Sequence, residues 1–336
     1  MSDADFDFEE AFRVIKVDDT HYKGAHPLRL PIAGARGVYG GHICAQTLLV
    51  AMESAPGYIV HSIHSYFIAP PTNLKVCHYE VTNLQEGKNF AKRLVKCSQY
   101  SASKRSSKIM YTCTVSLVKR GYAKDVGKKS LDFQVPRPPL QEKYQNPDEL
   151  TVNHHTSFVK NAYSKEFTNY EECPQENSQA PSKRWITVFS GLDQPKPVRD
   201  PKFNYVGLAC ISDSALLTTL ARVLHLPWNP TELYNTEDFD ENKDALDLMQ
   251  ISMNIIQIHH YTAMSLDHHI YFHCDNESAF DVVKDWLAFH YQMKVLSNNR
   301  ILVRGGLFNP EGIQVATVFQ EGFGIIHPEL SEQLKL

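Results

Sequence analysis

The sequence repeats one order of elements twice, a helical segment followed by several strands separated by short turns. In the first half, apolar residues at helical spacing cover residues 43–52, after a glycine-rich stretch. Segments rich in β-branched and aromatic residues then predict four strands, over 58–69, 74–84, 90–99 and 108–118. A short connection that contains glycine joins the second and third strands, as in a hairpin. The predicted unit is one long helix followed by antiparallel strands.

The second half shows the same order again. An apolar stripe at helical spacing covers residues 216–224, directly after Asp213. Three later segments have the composition of strands: 264–274, 301–308 and 313–323. A shift of about 205 residues places the segment that begins at His64 on the segment that begins at His269. We therefore expect one structural unit that occurs twice.

The composition changes between the two halves. Six prolines interrupt any periodicity between residues 119 and 184, where polar residues dominate. A chain of 336 residues has room for two domains of ordinary size. We therefore expect an amino-terminal repeat over 1–120, a proline-rich polar connector over 121–195 and a carboxyl-terminal repeat over 196–336.

Charge and cysteine usage exclude several classes of protein. With 34 basic and 38 acidic residues, the net charge of -4 gives no general attraction for nucleic acid. The seven cysteines are scattered and never spaced as C-x-x-C, which predicts free thiols in a reducing, intracellular compartment. No apolar run reaches 18 residues, and the amino terminus is acidic. We therefore expect neither a membrane span nor a secretory signal.

Common catalytic motifs are absent from the sequence. It contains no G-x-S-x-G, no G-x-x-x-x-G-K-[ST], no H-E-x-x-H and no G-x-G-x-x-G after a strand. His268, His269 and His273 lie close together, but alternation along a strand turns His268 to the face opposite the other two. No cysteine or pair of carboxylates completes a metal site there. The sequence predicts no metal ion and no cofactor.

Three polar residues of the second half are candidates for chemistry. Asp213 precedes the helical stripe, where a carboxylate caps free backbone N–H groups. Ser265 lies on a predicted strand, and Gln320 lies inside an otherwise apolar one, where an unpaired amide costs about 1–3 kcal/mol. The repeat shift gives Val60 and Ser116 as the approximate counterparts of Ser265 and Gln320. Taken singly each residue has a structural explanation, but the polar set occurs only in the second half.

Five motifs in this chain resemble the type II acyl-CoA thioesterases, which include peroxisomal enzymes. They extend over nearly the whole chain outside the connector, in the order of that family: Gly-Val-Tyr-Gly-Gly-His-Ile-Cys-Ala-Gln at 37–46, His-Ser-Ile-His-Ser-Tyr-Phe at 61–67, Ser-Asp at 212–213, Ser-Leu-Asp-His at 265–268 and Val-Phe-Gln-Glu-Gly at 318–322. The resemblance implies an α+β double hot-dog fold, in which each repeat wraps an antiparallel sheet around a long helix. An acidic stretch over 229–247, which that family usually shortens, is a departure.

The resemblance also implies the reaction and the residues that perform it. The expected function is hydrolysis of fatty acyl-CoA to free fatty acid and CoA, with Asp213, Ser265 and Gln320 at the catalytic positions. In that mechanism Asp213 accepts a proton from water, and the other two side chains hold the water. Gly40 and Gly41 let a ligand come close to the start of the first helix, where a backbone N–H is a natural donor to the oxyanion.

Substrate, partners and compartment follow from further expectations. CoA is polyanionic, and the segment from Lys88 to Lys129 has a strong basic excess, from which we select Lys104 and Arg105 as candidate phosphate contacts. Paired hot-dog edges predict a homo-oligomer. The last three residues, Leu334, Lys335 and Leu336, are similar to a peroxisomal S-K-L signal and suggest an import receptor as partner. The expected compartment is the peroxisome, with the cytoplasm as the alternative.

Two other functions remain open from the sequence. A hot-dog protein without its water-activating group binds acyl-CoA without hydrolysing it. An enoyl-CoA hydratase on the same fold needs a histidine and aspartate pair, for which His61, His64, His268 and His269 are the available histidines. A third possibility concerns mechanism only, since Ser265 could act as a covalent nucleophile, although it has no obvious neighbouring base.

Overall fold

One antiparallel sheet of fourteen strands organises the protein. The structure, a computed structural model, describes residues 6–31, 35, 37–101, 105–122, 133–156, 158–168, 173–214, 216–225 and 261–326. The first half contributes six strands: β1 (Val14–Lys16), β2 (His21–Gly24), β3 (Tyr58–Phe67), β4 (His78–Glu86), β5 (Phe90–Ser101) and β6 (Ser106–Lys119). The remaining strands are β7 (Thr151–Thr156), β8 (Val159–Tyr163), β9 (Ile186–Leu192), β10 (Tyr261–Ser265), β11 (Asp267–Phe272), β12 (Leu287–Ser297), β13 (Arg300–Phe308) and β14 (Gln314–Ile326).

The strand order is the same in both halves when it is read outward from the centre. The full order is β1-β2-β4-β5-β6-β3-β11-β14-β13-β12-β9-β8-β7, with β10 also paired to β14. The halves meet where β3 pairs with β11, and His64 lies opposite His269 in that ladder. These two residues are 205 positions apart, so the repeat shift found in the sequence exchanges one for the other. A pseudo-two-fold axis therefore passes near this pair and relates the two repeats.

Two central helices pack side by side against the sheet. The helices of the described residues are α1 (Phe8–Phe12), α2 (Gly40–Glu53), α3 (Pro139–Lys143), α4 (Lys165–Thr168), α5 (Pro174–Asn177), α6 (Lys202–Ile211) and α7 (Leu220–Val223). A β-carbon on Gly41 of α2 would lie 2.4 Å from the carbonyl oxygen of Cys210 in α6. At the other ends, Lys202 Nζ lies 2.6 Å from Glu53 Oε1. The helices are therefore antiparallel and very close. None of the described helices has the length and apolar character that crossing a membrane requires.

The central helix of the second half differs from the predicted one. It is α6, which ends before Asp213, whereas the stripe over 216–224 forms a short 3-10 turn (Leu217–Thr219) and α7. In α6 every residue after Lys202 is buried, so the sequence there shows no one-sided apolar stripe. Asp213 consequently follows the end of a helix and does not cap the start of the stripe.

The segment 121–195, expected to be a connector, contributes the three strands β7, β8 and β9 to one edge of the sheet. All seven residues of β9 are buried, and β9 pairs with β12. In the second half β9 lies next to β12, and in the first half β2 lies next to β4. The strand β9 therefore occupies the place that β2 holds in the first half. The architecture is α+β, two sheets joined edge to edge with one long helix packed on each, as a double hot-dog requires.

Candidate active site

The three candidate residues converge, although they come from separate elements of the second half. Asp213 follows α6, Ser265 ends β10 and Gln320 lies in β14. Gln320 Nε2 donates to Asp213 Oδ1 at 2.8 Å and to Ser265 Oγ at 2.6 Å. Ser265 Oγ donates to Asp213 Oδ1 at 3.4 Å. A carboxylate, a hydroxyl and an amide thus form one hydrogen-bonded group.

The first half contributes the start of α2 to this group. The backbone N–H of Gly41 donates to the Asp213 carboxylate. A β-carbon on Gly40 would lie 2.5 Å from Asp213 Oδ2 and 3.0 Å from Phe67 Cε1, so only glycine fits there without displacing the carboxylate. The first turn of α2 has no acidic residue of its own, and its N-cap residue makes no side-chain cap. Asp213 fills that role from the other half, at the positive end of the helix dipole.

The environment of Asp213 makes it a weaker acid than usual. Burial raises the pKa of Asp213 to about 6, while the hydrogen bonds from Gln320, Ser265 and the Gly41 N–H oppose the shift. Burial also raises the pKa values of Tyr39, Cys44 and Cys210, so these neighbours stay neutral at physiological pH. Asp213 is therefore a carboxylate near neutral pH and basic enough to accept a proton from water.

A β-bulge sets the side on which Ser265 points. Ser265 pairs with Gly322, but His269 pairs with Phe319, so β10 and β11 contain one residue more than the facing part of β14. Strict alternation along one strand would place Ser265 and His268, which are three residues apart, on opposite faces, and the structure does not. Because the extra residue reverses the alternation, both side chains point inward and both contact Gln320.

His268 is the neighbour of the site that the sequence interpretation did not assign. The imidazole is fully buried, and burial lowers its pKa to about 4. Its Nδ1 lies 3.0 Å from Gln320 Oε1, and its Nε2 lies 2.8 Å from Ser212 Oγ. The signal that links His268 to Gln320 is the bulge, which strand alternation cannot reveal.

The structure also corrects one counterpart in the first half. The ladder between β3 and β6 pairs His64 with Thr114, as the ladder between β11 and β14 pairs His269 with Phe319. Gln320 therefore corresponds to Val115, which is fully buried, and not to Ser116. The shift between the two ladders is 205 at this place, and the predicted counterpart, Ser116, was one position away from it.

The candidate CoA contacts are only partly described. Arg105 is exposed between β5 and β6 with a φ of 49°, and Lys104 lies outside the described residues. Three other cations of the basic segment form ion pairs: Arg93, which is buried, with Glu86, Lys96 with Glu80, and Arg120 with Glu277. The acidic stretch 229–247 and the tripeptide 334–336 also lie outside the described residues.

Other features of the described residues lie away from this site. A cavity of about 1100 Å³ opens under residues of the segment 121–195 and is lined by Trp185, His290 and Arg304 among others, but by none of the three candidate residues. In the part of the chain that the structure describes, no three His, Cys, Asp or Glu side chains are grouped to hold a metal ion.

Comparison with known proteins identifies the family. The family model described as the acyl-CoA thioesterase N-terminal domain matches residues 28–119, and the one described as the C-terminal domain matches residues 141–323. The chain is 26% identical to acyl-CoA thioesterase 2 of Haemophilus influenzae, with 96% of this chain and 98% of that protein covered. It is 24% identical to peroxisomal acyl-coenzyme A thioester hydrolase 1 of Saccharomyces cerevisiae, with 96% and 95% covered.

The fold has relatives among solved structures. A protein with a hot dog fold from Alicyclobacillus acidocaldarius superposes with a TM-score of 0.62 at 14% identity, over 95% of this chain and 97% of that one. This likeness concerns the fold, whereas the two domain matches concern the family. The chain therefore belongs to the acyl-CoA thioesterase family, and its two repeats form a double hot-dog.

Proposed function

We propose that this thioester hydrolase cleaves fatty acyl-CoA to free fatty acid and CoA, and that Asp213, Ser265 and Gln320 activate the water that attacks. The observation that carries the assignment is the hydrogen-bonded group of these three side chains at the start of α2, with distances of 2.6, 2.8 and 3.4 Å. A carboxylate held near neutral ionisation beside two polar hydrogen-bonding groups is suited to general base catalysis.

The mechanism follows from the roles of these groups. Ser265 and Gln320 hold the water, and Asp213 accepts a proton from it. The water oxygen then forms a bond to the carbonyl carbon of the thioester. The positive end of α2 lies beside the carbonyl oxygen, which becomes negative. The tetrahedral intermediate then breaks its C–S bond, and the proton on Asp213 passes to the thiolate of CoA. The products are the fatty acid and CoA thiol, and Asp213 is again a carboxylate.

The geometry disfavours the other functions that the sequence left open. Both ring nitrogens of His268 are engaged, so it has no lone pair to offer an enoyl substrate. His64 and His269 point to the face of the sheet opposite the central helices, away from Gln320. A protein that only bound acyl-CoA would not need a carboxylate, a hydroxyl and an amide joined in one hydrogen-bonded group.

The test is the substitution Asp213→Asn, which keeps shape and removes the base. We expect turnover of acyl-CoA to fall by about 100- to 10,000-fold. Release of free CoA thiol is the measurement. The matched control is Asp200→Asn, which removes a carboxylate that accepts from the backbone N–H of Lys202 at the opposite helix junction and should leave turnover near the parent rate. An Asp213→Asn enzyme with near-parent activity would show that another group activates the water.

The same assay separates the remaining alternatives. Incubation with crotonyl-CoA, followed by the enoyl absorbance, detects hydration without thiol release. An acyl-enzyme that accumulates in the parent and disappears in Ser265→Ala would favour Ser265 as a covalent nucleophile over a water held by it.

We further propose that Lys104 and Arg105 contact the phosphates of CoA. Support comes from the basic excess of their segment and from the exposure of Arg105. Phosphate contacts by surface cations weaken with salt. Neutralising both residues should raise KM and reduce its dependence on salt, with kcat unchanged, and unaltered values of KM would remove the pair from the site.

Organisation and compartment are also proposals. The first duplicated unit is 1–120, and the second extends beyond the expected 196–336 to include at least β9 of the segment 121–195, because β9 takes the place that β2 holds in the first half. We propose a homo-oligomer, formed through paired hot-dog edges. We also propose delivery to peroxisomes, because the Saccharomyces cerevisiae relative is named as peroxisomal and because Leu334, Lys335 and Leu336 are similar to an import signal. Deletion of this tripeptide from a fluorescent fusion tests the import.

A further inference from the structure

A chain of hydrogen bonds continues beyond the three proposed catalytic residues. It runs from Ser212 through His268 to Gln320, with heavy-atom distances of 2.8 and 3.0 Å. All three side chains are buried. Each of their donors and acceptors therefore needs a partner in the protein, because an unpaired buried polar group destabilises the fold. The direction of each hydrogen bond can therefore be worked out.

The Asp213 carboxylate fixes the direction at one end. Its Oδ1 only accepts, so the side of the Gln320 amide that faces it must be the NH₂ group, which also donates to Ser265. Gln320 Oε1 then faces His268 and needs a donor. In the neutral imidazole this donor is Nδ1–H, which leaves Nε2 as an acceptor. The Ser212 hydroxyl lies 2.8 Å from Nε2 and also 3.0 Å from the carbonyl oxygen of Ala209, and we assign its single proton to Nε2, because this buried nitrogen has no other donor among its described contacts.

We propose that His268 is a positioning residue for hydrolysis, whose Nδ1–H holds the Gln320 amide with its NH₂ group toward Asp213 and Ser265, and that Ser212 fixes the imidazole tautomer. This inference rests on the proposed function of the three residues. Without the Nδ1–H donor, rotation of the amide would turn Oε1 toward the carboxylate. That rotation would remove the donor to Asp213 and the group that helps to hold the water.

The first half supports the assignment, because it carries the same backbone without the chemistry. A register shift between Val60 and Ser62 in β3 matches the bulge of the second half. The position equivalent to His268 by the ladder is Ile63, and the positions equivalent to Ser265 and Gln320 are Val60 and Val115. All three are buried. The fold therefore accepts an apolar residue at the place of His268, and the histidine occurs only in the half with the proposed catalytic groups.

Backbone contacts hold His268 firmly. Ser65, its partner across the ladder from β3, donates its hydroxyl to the backbone carbonyl of His268 at 2.6 Å. Ser212 is adjacent to Asp213 in the chain and is anchored to α6 through its N–H, which donates to the carbonyl of Leu208. The hydrogen bonds from Ser212 through His268 and Gln320 to Asp213 form a relay whose two ends are neighbouring residues of the chain.

The experiment compares two substitutions of His268. Leucine removes the donor, whereas asparagine returns an N–H near the place of Nδ1. We expect His268→Leu to lower kcat by about 100-fold with KM changed less than about threefold, because misplacing a catalytic group by about 1 Å has such an effect. His268→Asn should recover turnover to within about tenfold of the parent. The control is Ile270→Val, the next inward residue of β11, which lowers stability without touching the relay.

A pH profile separates positioning from packing. Loss of the Gln320 donor removes a hydrogen bond that favours the Asp213 carboxylate, so the acid limb of kcat/KM should move to higher pH in His268→Leu but not in His268→Asn or Ile270→Val. The groups that face Asp213 are Tyr39, Cys44 and Cys210, which stay neutral in this range. Asp267 and His269 flank His268 and are unchanged in every variant.

Each outcome decides the matter. If His268→Leu does not fold, Ser212→Ala tests the same relay with the imidazole in place, and it should lower kcat by about three- to tenfold with a shift of the acid limb in the same direction. If the acid limb and kcat of whichever variant folds match those of Ile270→Val, His268 only fills space and the inference is wrong. Failure of the proposed function looks different, because Asp213→Asn would then remain active whatever the His268 variants do.

Discussion

The two repeats share their backbone but differ in the groups that face the core beside the central helices. The second repeat has Ser265, His268 and Gln320 where the first has valine, isoleucine and valine, and the bulge that aims these positions is present in both. The bulge and the helix are therefore requirements of the fold, whereas the polar groups are not. One repeat carries the proposed catalytic groups, and the other supplies the glycines at the start of α2.

The two helix junctions show the same division. Where α2 begins, Gly40 and Gly41 lie against the Asp213 carboxylate. Where α6 begins, Lys202 pairs with Glu53 at 2.6 Å and with Asp200 at 2.9 Å. One junction holds a partly buried carboxylate without a basic partner among its described contacts, and the other neutralises its carboxylates with lysine. Of these two junctions, only the one at the start of α2 therefore holds the proposed catalytic carboxylate.

The largest effect is expected when the second repeat is made to look like the first. The double substitution His268→Ile and Gln320→Val copies the apolar counterparts. We expect thiol release to fall by about 100- to 1,000-fold, as on removal of a preorganised hydrogen-bond donor. Urea unfolding should show a folded protein of reduced stability, because His268 and Gln320 are removed together but Asp213, Ser265 and Ser212 each lose a hydrogen-bond partner.

The single variant Gln320→Val is the control for that result. It leaves the Nδ1–H of His268 buried without its acceptor, which costs about 1–3 kcal/mol. The double variant should therefore unfold at a higher urea concentration than the single one. If both variants are equally stable, the hydrogen bond between His268 and Gln320 contributes nothing to the fold, and the comparison between the repeats loses its energetic basis.

A smaller loss of turnover is expected when one methyl group is added at the start of α2, beside Asp213. Gly40→Ala adds a β-carbon 2.5 Å from Asp213 Oδ2, so the carboxylate has to move and turnover should fall by about 100-fold. The comparison is Lys202→Ala, which also places alanine at the first residue of a central helix, in this case α6. It removes partly exposed ion pairs, which contribute about 0–1 kcal/mol, and should leave kcat unchanged. Similar kinetics for the two alanine variants would refute the asymmetry.

The sequence predicted the repeat and the helix α2, because both depend on local periodicity or on the repeat shift. The convergence of Asp213, Ser265 and Gln320 was implied by the resemblance to the type II acyl-CoA thioesterases and not by periodicity. It could not predict the face of His268, since a bulge is defined by the register of two strands and not by either strand alone. The helix α6 was missed because burial on all sides leaves no periodic pattern. The strands within 121–195 were missed because prolines around them suggested a polar connector.

The junction at the start of α2 should also make hydrolysis depend on pH, because it holds Asp213. Only ionised Asp213 accepts a proton, and its pKa is raised to about 6, so kcat/KM should rise with pH through this value. At one pH unit below the pKa about one-tenth of the carboxylate remains, and the rate should be about tenfold below its plateau. Hydrolysis rates measured between pH 5 and 8 test this expectation, and a flat profile would contradict it.

Stability should respond in the opposite direction to activity at this residue. The pKa of folded Asp213 lies above the value of about 3.9 for unfolded chains, so the folded protein binds more protons between about pH 4 and 6, and the stability from this group falls as pH rises through that window. Asp213→Asn should therefore be more stable than the parent at pH 7, with the difference shrinking toward pH 4. Glu53→Gln, at the other junction, loses an ion pair with Lys202 and should not gain stability at pH 7. Unfolding midpoints that shift equally in the two variants would mean that the Asp213 carboxylate carries no special ionisation cost.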